Sequence, residues 1–526
     1  MNKVKNAIIL AAGMGERAVP MTYDTPKGLL KVHGIPMIER QIEQLLEKNI
    51  TEIILVVGYL KEKFDYLIDK YGVELVYNPE FASKNNLASV YRAMDRLSST
   101  YLLMSDNYME QNIFSEFEET SWFSCPFYQG QTSEWIVSKG STSGTIEEIV
   151  IGGENAYAIQ GPAYFSPEFS SAFTCLLEEY SRLPESRDYY WEHILKLELS
   201  KLPPMKIKDT TGIVHEFENL EELRAYDQSY MTETHNEIMQ TISRVFDVPQ
   251  GSIHGIEVLK SGMNNKSFKF YIGEDAYIFR SPGMDTGSFV NRKSEKNSYT
   301  QLASHDLTDK IIYLDEDSGI KISVFFHNAH DADPYNNEEL NTCMEILREM
   351  HAKNVQITAD YDIKGKTENF IRIAKELNAI RFSDFDNVFE NMKKLYALEN
   401  KLQIKRTLCH GDFSHVNVLI LPDGTGKIID LEFCGIGDPI MDIAMYGIFA
   451  CFDQTRMDLA LQIYLDRAPT ELETLRLYLY ISLSAFLWTV WAEYKQANGA
   501  EFGEYPLKMY RYAKDYYKLC ASIACI

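Results

Sequence analysis

The order of apolar runs in this chain predicts an α/β protein of two domains. An open, mostly parallel sheet comes first, then a small sheet lobe joined to a larger helical lobe. Three observations predict it. From Ala7 to Asp106, short apolar strands alternate with helices. After a polar stretch at residues 226–234 the pattern changes to short β segments separated by glycine turns. From Glu338 onward the chain reads as mainly helical, interrupted by residues 410–432. At 526 residues, it also exceeds what one hydrophobic core ordinarily serves.

Each element has its own signal. Ala7-Ile8-Ile9-Leu10 is a buried strand running into a glycine turn, and residues 38–48 carry apolar positions at helical spacing. Ile53-Ile54-Leu55-Val56-Val57 is a second strand, closed by Gly58-Tyr59; residues 74–77 are a third. Residues 87–97 read as helix, and residues 101–104 as a fourth strand ending at Asp106. Such alternation puts ligands at the strand C-termini. The polar stretch divides the chain into domains of residues 1–228 and 235–526. Residues 237–246 then form a helix. Residues 256–259, 267–272 and 277–280 form antiparallel strands with turns at Gly262 and Gly273-Glu274-Asp275.

A hydrophobic share of 45% and a charged share of 24% fit a soluble globular protein. The net charge of −24 argues against a nucleic-acid partner, which needs a basic face. It permits a cationic substrate and leaves anionic nucleotides to local basic residues and metal ions. The eight cysteines form no CxxC pair and no zinc-spaced cluster, as expected of reduced thiols in a cytoplasmic protein. Residues 7–12 lack the cleavage region of a signal peptide. The longest apolar stretch, residues 477–492, falls short of the ~20 residues a bilayer span needs and reads as a buried helix, so no membrane insertion is expected.

Near the N-terminus, Leu10-Ala11-Ala12-Gly13-Met14-Gly15-Glu16-Arg17 puts small residues where a triphosphate must approach the backbone. No third glycine follows, so this is not the dinucleotide fingerprint, and without Gly-Lys-Ser/Thr it is not a P-loop. Arg17 and Lys27 suit neutralisation of a triphosphate and of a pentacoordinate phosphorus. Asp106, at a strand end, suits Mg²⁺. With Pro20-Met21-Thr22 and Thr25-Pro26-Lys27, the segment resembles the nucleotidyltransferase superfamily, a Rossmann-like fold that activates sugar phosphates. In particular it is similar to bacterial CTP:phosphocholine cytidylyltransferases. Val57-Gly58-Tyr59, Asn85-Asn86, Ser105-Asp106-Asn107-Tyr108, Glu134-Trp135 and Tyr190-Trp191-Glu192 carry this resemblance across residues 4–226. It implies that Asn85, Asn86 and Ser89 lie near the cytosine or ribose, and that Asp106 binds Mg²⁺ with Glu216 or Glu218. Trp135, Tyr190 and Trp191 are candidate aromatic faces for a quaternary ammonium, which cannot donate a hydrogen bond.

Towards the C-terminus, His410-Gly411-Asp412 with Asn417 and Asp430 has the spacing of a phosphotransferase loop. Asp412 would accept the substrate hydroxyl proton, and Asn417 and Asp430 would hold Mg²⁺ on ATP. Gly411 stands where protein kinases have Arg, and Leu431-Glu432-Phe433 replaces their Phe-Gly, which points to small-molecule substrates. With Gly437-Asp438-Pro439 and Asp442, these residues resemble the choline/ethanolamine kinase family and, more distantly, aminoglycoside phosphotransferases, over residues 236–526. The resemblance implies a nucleotide-covering hairpin at Gly262-Met263-Asn264-Asn265-Lys266. It implies a phosphate-binding cation at Arg280, paired with Glu295. The last helices carry Trp488, Trp491, Tyr494 and Tyr505; the first three share a helix face, either as core or as a cation pocket, to which Glu432 would add a carboxylate unless it only orients the loop.

Together the two resemblances imply one enzyme that phosphorylates choline with ATP and couples phosphocholine to CTP, both with Mg²⁺. The residues leave ethanolamine or another aminoalcohol open as the substrate. They also leave open a sugar-phosphate nucleotidyltransferase fused to a small-molecule kinase.

Overall fold

A computed structural model describes the chain except residues 141–143, 260–264, 283–289, 354, 356, 358, 501 and 526. The predicted hairpin residues Gly262, Met263 and Asn264 lie outside the described residues. Two compact units emerge: Met1–Val258 with Phe270–Glu274, and Leu259–Lys269 with Asp275–Ile526.

The first unit is built on strands β1 (Asn6–Ala11), β2 (Glu52–Val57), β3 (Glu74–Tyr77), β4 (Thr100–Met104), β5 (Trp122–Ser124), β6 (Ala163–Phe165) and β7 (Lys206–Lys208). Among the described residues they form one sheet in the order β7-β5-β6-β4-β1-β2-β3. The β1/β2, β1/β4, β2/β3 and β5/β7 pairs are parallel, and β6 runs antiparallel to both neighbours. β1 is buried along its whole length, which is why it reads as a continuous apolar run rather than an alternation. Each face of the sheet has its own core. Ile8, Leu10 and Ile54 pack on one side with Phe165, Phe173 and Trp191, and Ala7, Ile9 and Leu55 on the other with Ile38, Ile42 and Tyr101. The helix Met37–Leu46 is amphipathic as its spacing predicts, and helix Asn86–Arg92 is shorter than predicted, giving way to a 3₁₀ turn at Met94–Arg96. The sheet also carries a long hairpin, Phe127–Lys139 paired with Ile146–Ala158.

In the second unit, strands Asp275–Pro282, Lys321–Val324 and Ile311–Leu314 lie side by side in that order. Both pairings are antiparallel. The helix Arg292–Leu302 carries Glu295, whose side chain is fully buried. The helical lobe is centred on Glu471–Ala497, which starts at a capping box made by Thr470 and Glu473. By length and composition this helix passes for a membrane span. However, 89% of its apolar window is buried inside the lobe, as a core helix requires. All eight cysteines are free.

Two candidate active sites

The first site opens at the C-terminal ends of β1 and β4, as strand alternation requires. A cleft of about 760 Å³ is lined by Leu10, Ala11, Ala12, Gly13, Gly15, Arg17, Lys27, Asn85, Asn86, Ser89, Asp106, Tyr190 and Glu218. Gly15 takes φ 62°, and a Cβ there would lie 3.0 Å from the Thr22 methyl and 3.2 Å from Lys27 Cβ, so the turn needs glycine. Asn85 caps the next helix by accepting from Asn86 N, and Ser89 Oγ accepts from Asn78 Nδ2 at 3.0 Å. Arg187, Asp188 and residues 81–84 also line the cleft. They belong to loops whose sequences carry no motif, so pattern reading missed them.

Its charges converge on Lys27. The ammonium lies 2.6 Å from Asp106 and 3.7 Å from Glu216, while Arg17 pairs with Glu218 at 2.8 Å. Burial works against the Lys27 charge, but Asp106 and Glu216 raise its pKa above the ordinary lysine value. Burial and the Asp106 charge push the Glu216 carboxyl up, with Lys27 opposing. This is a carboxylate cluster short of positive charge, all hard oxygen donors, and it fits a divalent cation of the Mg²⁺ class.

The aromatic candidates separate. Tyr190 is 44% exposed and faces the cleft. Trp135 packs edge-on to His193 with centroids 4.7 Å apart, and the Lys196 ammonium lies 5.3 Å over its ring, so this face already accommodates a cation. Trp191 is 2% exposed, stacked on Phe123 at 5.1 Å and edged by Phe165 and Phe173. The structure places it in the core and not on the cleft, because its helix start turns the ring back under the sheet.

The next residue, Glu192, is held by a hydrogen bond from Asn86, whose Oδ1 accepts from Trp191 N at 2.8 Å. Its Oε2 is buried without a partner among the described residues, and burial pushes its pKa up to about 8. The folded protein therefore favours the protonated acid. The resulting stability is present below the ordinary carboxylate pKa and is lost as pH rises towards 8. Glu192→Gln is expected to match the wild-type Tm at pH 4.5 and to exceed it progressively up to pH 8, by a few kcal/mol at about 1.4 kcal/mol per pKa unit. Thermal melts across that range check it; a gap that does not widen refutes it.

The second site lies between strands Thr407–Cys409 and Gly426–Ile428. Its loop is clamped from below. Asp442 accepts from His410 N at 2.7 Å and Gly411 N at 2.9 Å, and His351 Nε2 lies 3.0 Å from it. His410 is fully buried, with Nε2 2.9 Å from Ile429 O, and burial lowers its pKa so that it stays neutral. Gly411 takes φ 78°, and a Cβ there would sit 2.4 Å from Phe433 O and 2.5 Å from the Tyr361 ring. Here backbone angle and space both demand glycine. Asn417 Nδ2 donates to Asp412 O at 2.9 Å, and Asp430 sits in the left-handed region at φ 64°.

Arg280, Glu295, Asp430 and Glu432 come together as one buried network. Arg280 donates to both Glu295 and Asp430, and Arg292 reaches Glu295 at 3.2 Å and Glu432 at 3.3 Å. Asn265 Nδ2 donates to Glu432 at 3.3 Å. Burial, then Asp430 and Glu432, raise the Asp412 carboxyl well above the usual range. Trp488 and Trp491 pack edge to face at 5.2 Å; Trp491 meets Phe502 at 5.3 Å, and Phe502 meets Tyr505 at 6.1 Å. Burial first, then the Asp412 charge, raise the Tyr505 phenol above its ordinary pKa. Asp442, His351, Tyr361 and Lys366 were not assigned from the sequence; Asp442 stood in a quoted motif, but its clamping role needs the fold.

Both halves of the chain match known families. Residues 7–107 match the MobA-like NTP transferase domain and residues 255–478 the phosphotransferase enzyme family. The chain is 33% identical over 223 residues to the choline-phosphate cytidylyltransferase of Streptococcus pneumoniae, covering 42% of this chain and 96% of the relative. It is 34% identical over 235 residues to the 2-aminoethylphosphonate cytidylyltransferase of Lancefieldella rimae, covering 43% and 93%. The crystal structure of choline kinase LicA from Streptococcus pneumoniae aligns with TM-score 0.47 at 22% identity, over 54% of this chain and 98% of that one.

Proposed function

The chain belongs to the cytidylyltransferase family typified by choline-phosphate cytidylyltransferase and carries a phosphotransferase-family domain behind it, and from this we propose that it activates choline in two steps. In the first, the choline hydroxyl gives its proton to Asp412 as its oxygen attacks the γ-phosphorus of ATP, leaving phosphocholine and ADP. In the second, a phosphocholine oxygen attacks the α-phosphorus of CTP in line, giving CDP-choline and pyrophosphate. Lys27 and Arg17 would neutralise the charge that grows on phosphorus and on the leaving group. No covalent intermediate on the protein is required.

The observation that carries the reading is the pairing of the two sites on one chain: the product of one is the substrate of the other. The same pairing disfavours a phosphonate. 2-Aminoethylphosphonate already holds its phosphorus through carbon, so a kinase domain would have nothing to contribute. It also disfavours a sugar-phosphate substrate, which would leave Trp135 and its bound lysine without a purpose. Tyr190 at the first site, with Trp135 behind it across His193, and Trp488 and Trp491 at the second would offer aromatic faces to a trimethylammonium. The fused domains keep the intermediate at raised local concentration without any need for a tunnel.

Both halves are nucleotide-using transferases of kinds that work with Mg²⁺. Asp106 with Glu216 and Glu218 would hold it on CTP, and Asn417 with Asp430 on ATP; it supplies charge neutralisation along the phosphates. Of the two glutamates, Glu216 is the better candidate, since Lys27 already bridges it to Asp106 whereas Glu218 is paired with Arg17. The free cysteines suit a cytoplasmic location.

Incubation of the full chain with choline, ATP, CTP and Mg²⁺ tests the reading. Phosphocholine should appear first and CDP-choline follow, with one pyrophosphate per CDP-choline. Phosphocholine that accumulates without CDP-choline, or a clear preference for ethanolamine in both steps, would overturn it.

A further inference from the structure

A lysine sits beside the Asp412 loop of the second site, where a cationic substrate makes a resident cation unexpected. Lys366 is on the first turn of helix Ile363–Glu376. Its ammonium lies 4.0 Å from the centre of the Tyr361 ring and 5.0 Å from that of Phe433. The Tyr361 ring and the Phe433 backbone flank the catalytic loop. The Tyr361 ring and the Phe433 carbonyl are the groups that exclude any Cβ at Gly411, next to Asp412. Lys366 is thus held over two aromatic faces beside the loop that carries Asp412. It is the cation among the groups acting most strongly on Asp412. Burial lowers its pKa to about 8, with Asp412 opposing, so at neutral pH it is still mainly protonated.

The Asp412 carboxylate poses a problem for an acceptor with an ammonium at one end and a hydroxyl at the other. Electrostatics alone would draw the ammonium to Asp412, the wrong way round for phosphoryl transfer, whereas Glu432 is already paired with Arg292 and Arg280. Resting on the choline-kinase reading above, we propose that Lys366 is an orienting residue. Its fixed ammonium on the Tyr361–Phe433 platform repels the substrate cation from the Asp412 end, so that the cation takes the tryptophan end and the hydroxyl meets Asp412. Trp488 and Trp491, buried in the helical lobe and packed on one another and on Phe502, would supply the other end.

The kinetic signature is specific. Reversed binding forms a dead-end complex, which lowers kcat and KM by the same factor. It leaves kcat/KM untouched, because that ratio compares free enzyme and substrate with the transition state. Lys366→Met, which keeps the stem and removes the charge, is expected to lower kcat and KM for choline together, roughly tenfold for a like-charge repulsion at this range. Lys366→Arg is expected to restore both. With 3,3-dimethylbutan-1-ol, the uncharged isostere of choline, the Lys366→Met loss should be several times smaller, and turnover of this alcohol also shows that the variant is folded. A fall in kcat/KM for both acceptors would make Lys366 a transition-state or structural residue and overturn the proposal, as would unchanged kcat and KM for choline. Failure of the wild-type chain to phosphorylate choline at all would instead remove the functional reading on which the proposal stands.

Discussion

Replacing Asp412 with Asn is expected to remove choline phosphorylation, by ~10²–10⁴-fold as for loss of a general base, while CDP-choline formation from supplied phosphocholine continues. The substitution is nearly isosteric, so the clamp on the loop should survive: Asp442 still receives His410 N and Gly411 N, and Asn417 Nδ2 still reaches the backbone carbonyl of residue 412. What disappears is the oxygen that accepts the substrate proton. Burial, then Asp430 and Glu432, hold the Asp412 carboxyl above the usual range, which makes its carboxylate a stronger base than a solvated aspartate. Separate assays of ADP release with choline and pyrophosphate release with phosphocholine decide the matter. Loss of both activities would mean that the residue holds the whole chain together and not the kinase chemistry alone.

The mirror experiment is Lys27→Met. Cytidylyl transfer is expected to fall by ~10²–10³-fold, the usual cost of removing one charge-stabilising donor from a developing oxyanion, while phosphocholine formation is unaffected. With choline, ATP and CTP all present, this variant should therefore accumulate phosphocholine, whereas the Asp412→Asn chain makes none. Lys27 is mostly buried and bridges Asp106 to Glu216, so its loss also leaves two carboxylates facing one another without compensation. For that reason raised Mg²⁺ should rescue part of the CTP affinity but not the rate. Full rescue of the rate by metal would show that Lys27 only balances charge in the resting site.

The lessons of the two halves differ in kind. Glycine turns, strand ends and the spacing of His410, Asp412, Asn417 and Asp430 are local features, visible because phosphate chemistry needs particular residues a few positions apart. The same holds for Gly15 and Gly411, where a positive φ and a close neighbour exclude every side chain. Aromatic residues carry no such signal. Tyr190 and Trp191 are adjacent in the chain, yet one faces the cleft and the other stacks on Phe123 inside the core. Similarly, Glu216 and Glu218 look alike in sequence, and their partners, Lys27 for one and Arg17 for the other, distinguish them.

Linear order was therefore enough to indicate two folds and two reactions, and to propose the groups that would meet phosphate. Those groups sit on single turns or strand ends whose geometry is set by a handful of neighbouring residues. The orientation of each tryptophan, the clamp that His351 and Asp442 form beneath the loop, the sealed acid at Glu192 and the lysine over Tyr361 and Phe433 needed the folded chain. Each depends on groups brought together from distant segments, 91 residues apart in the case of His351 and Asp442. Burial and charge at such junctions are properties of packing, and no single stretch of sequence contains them.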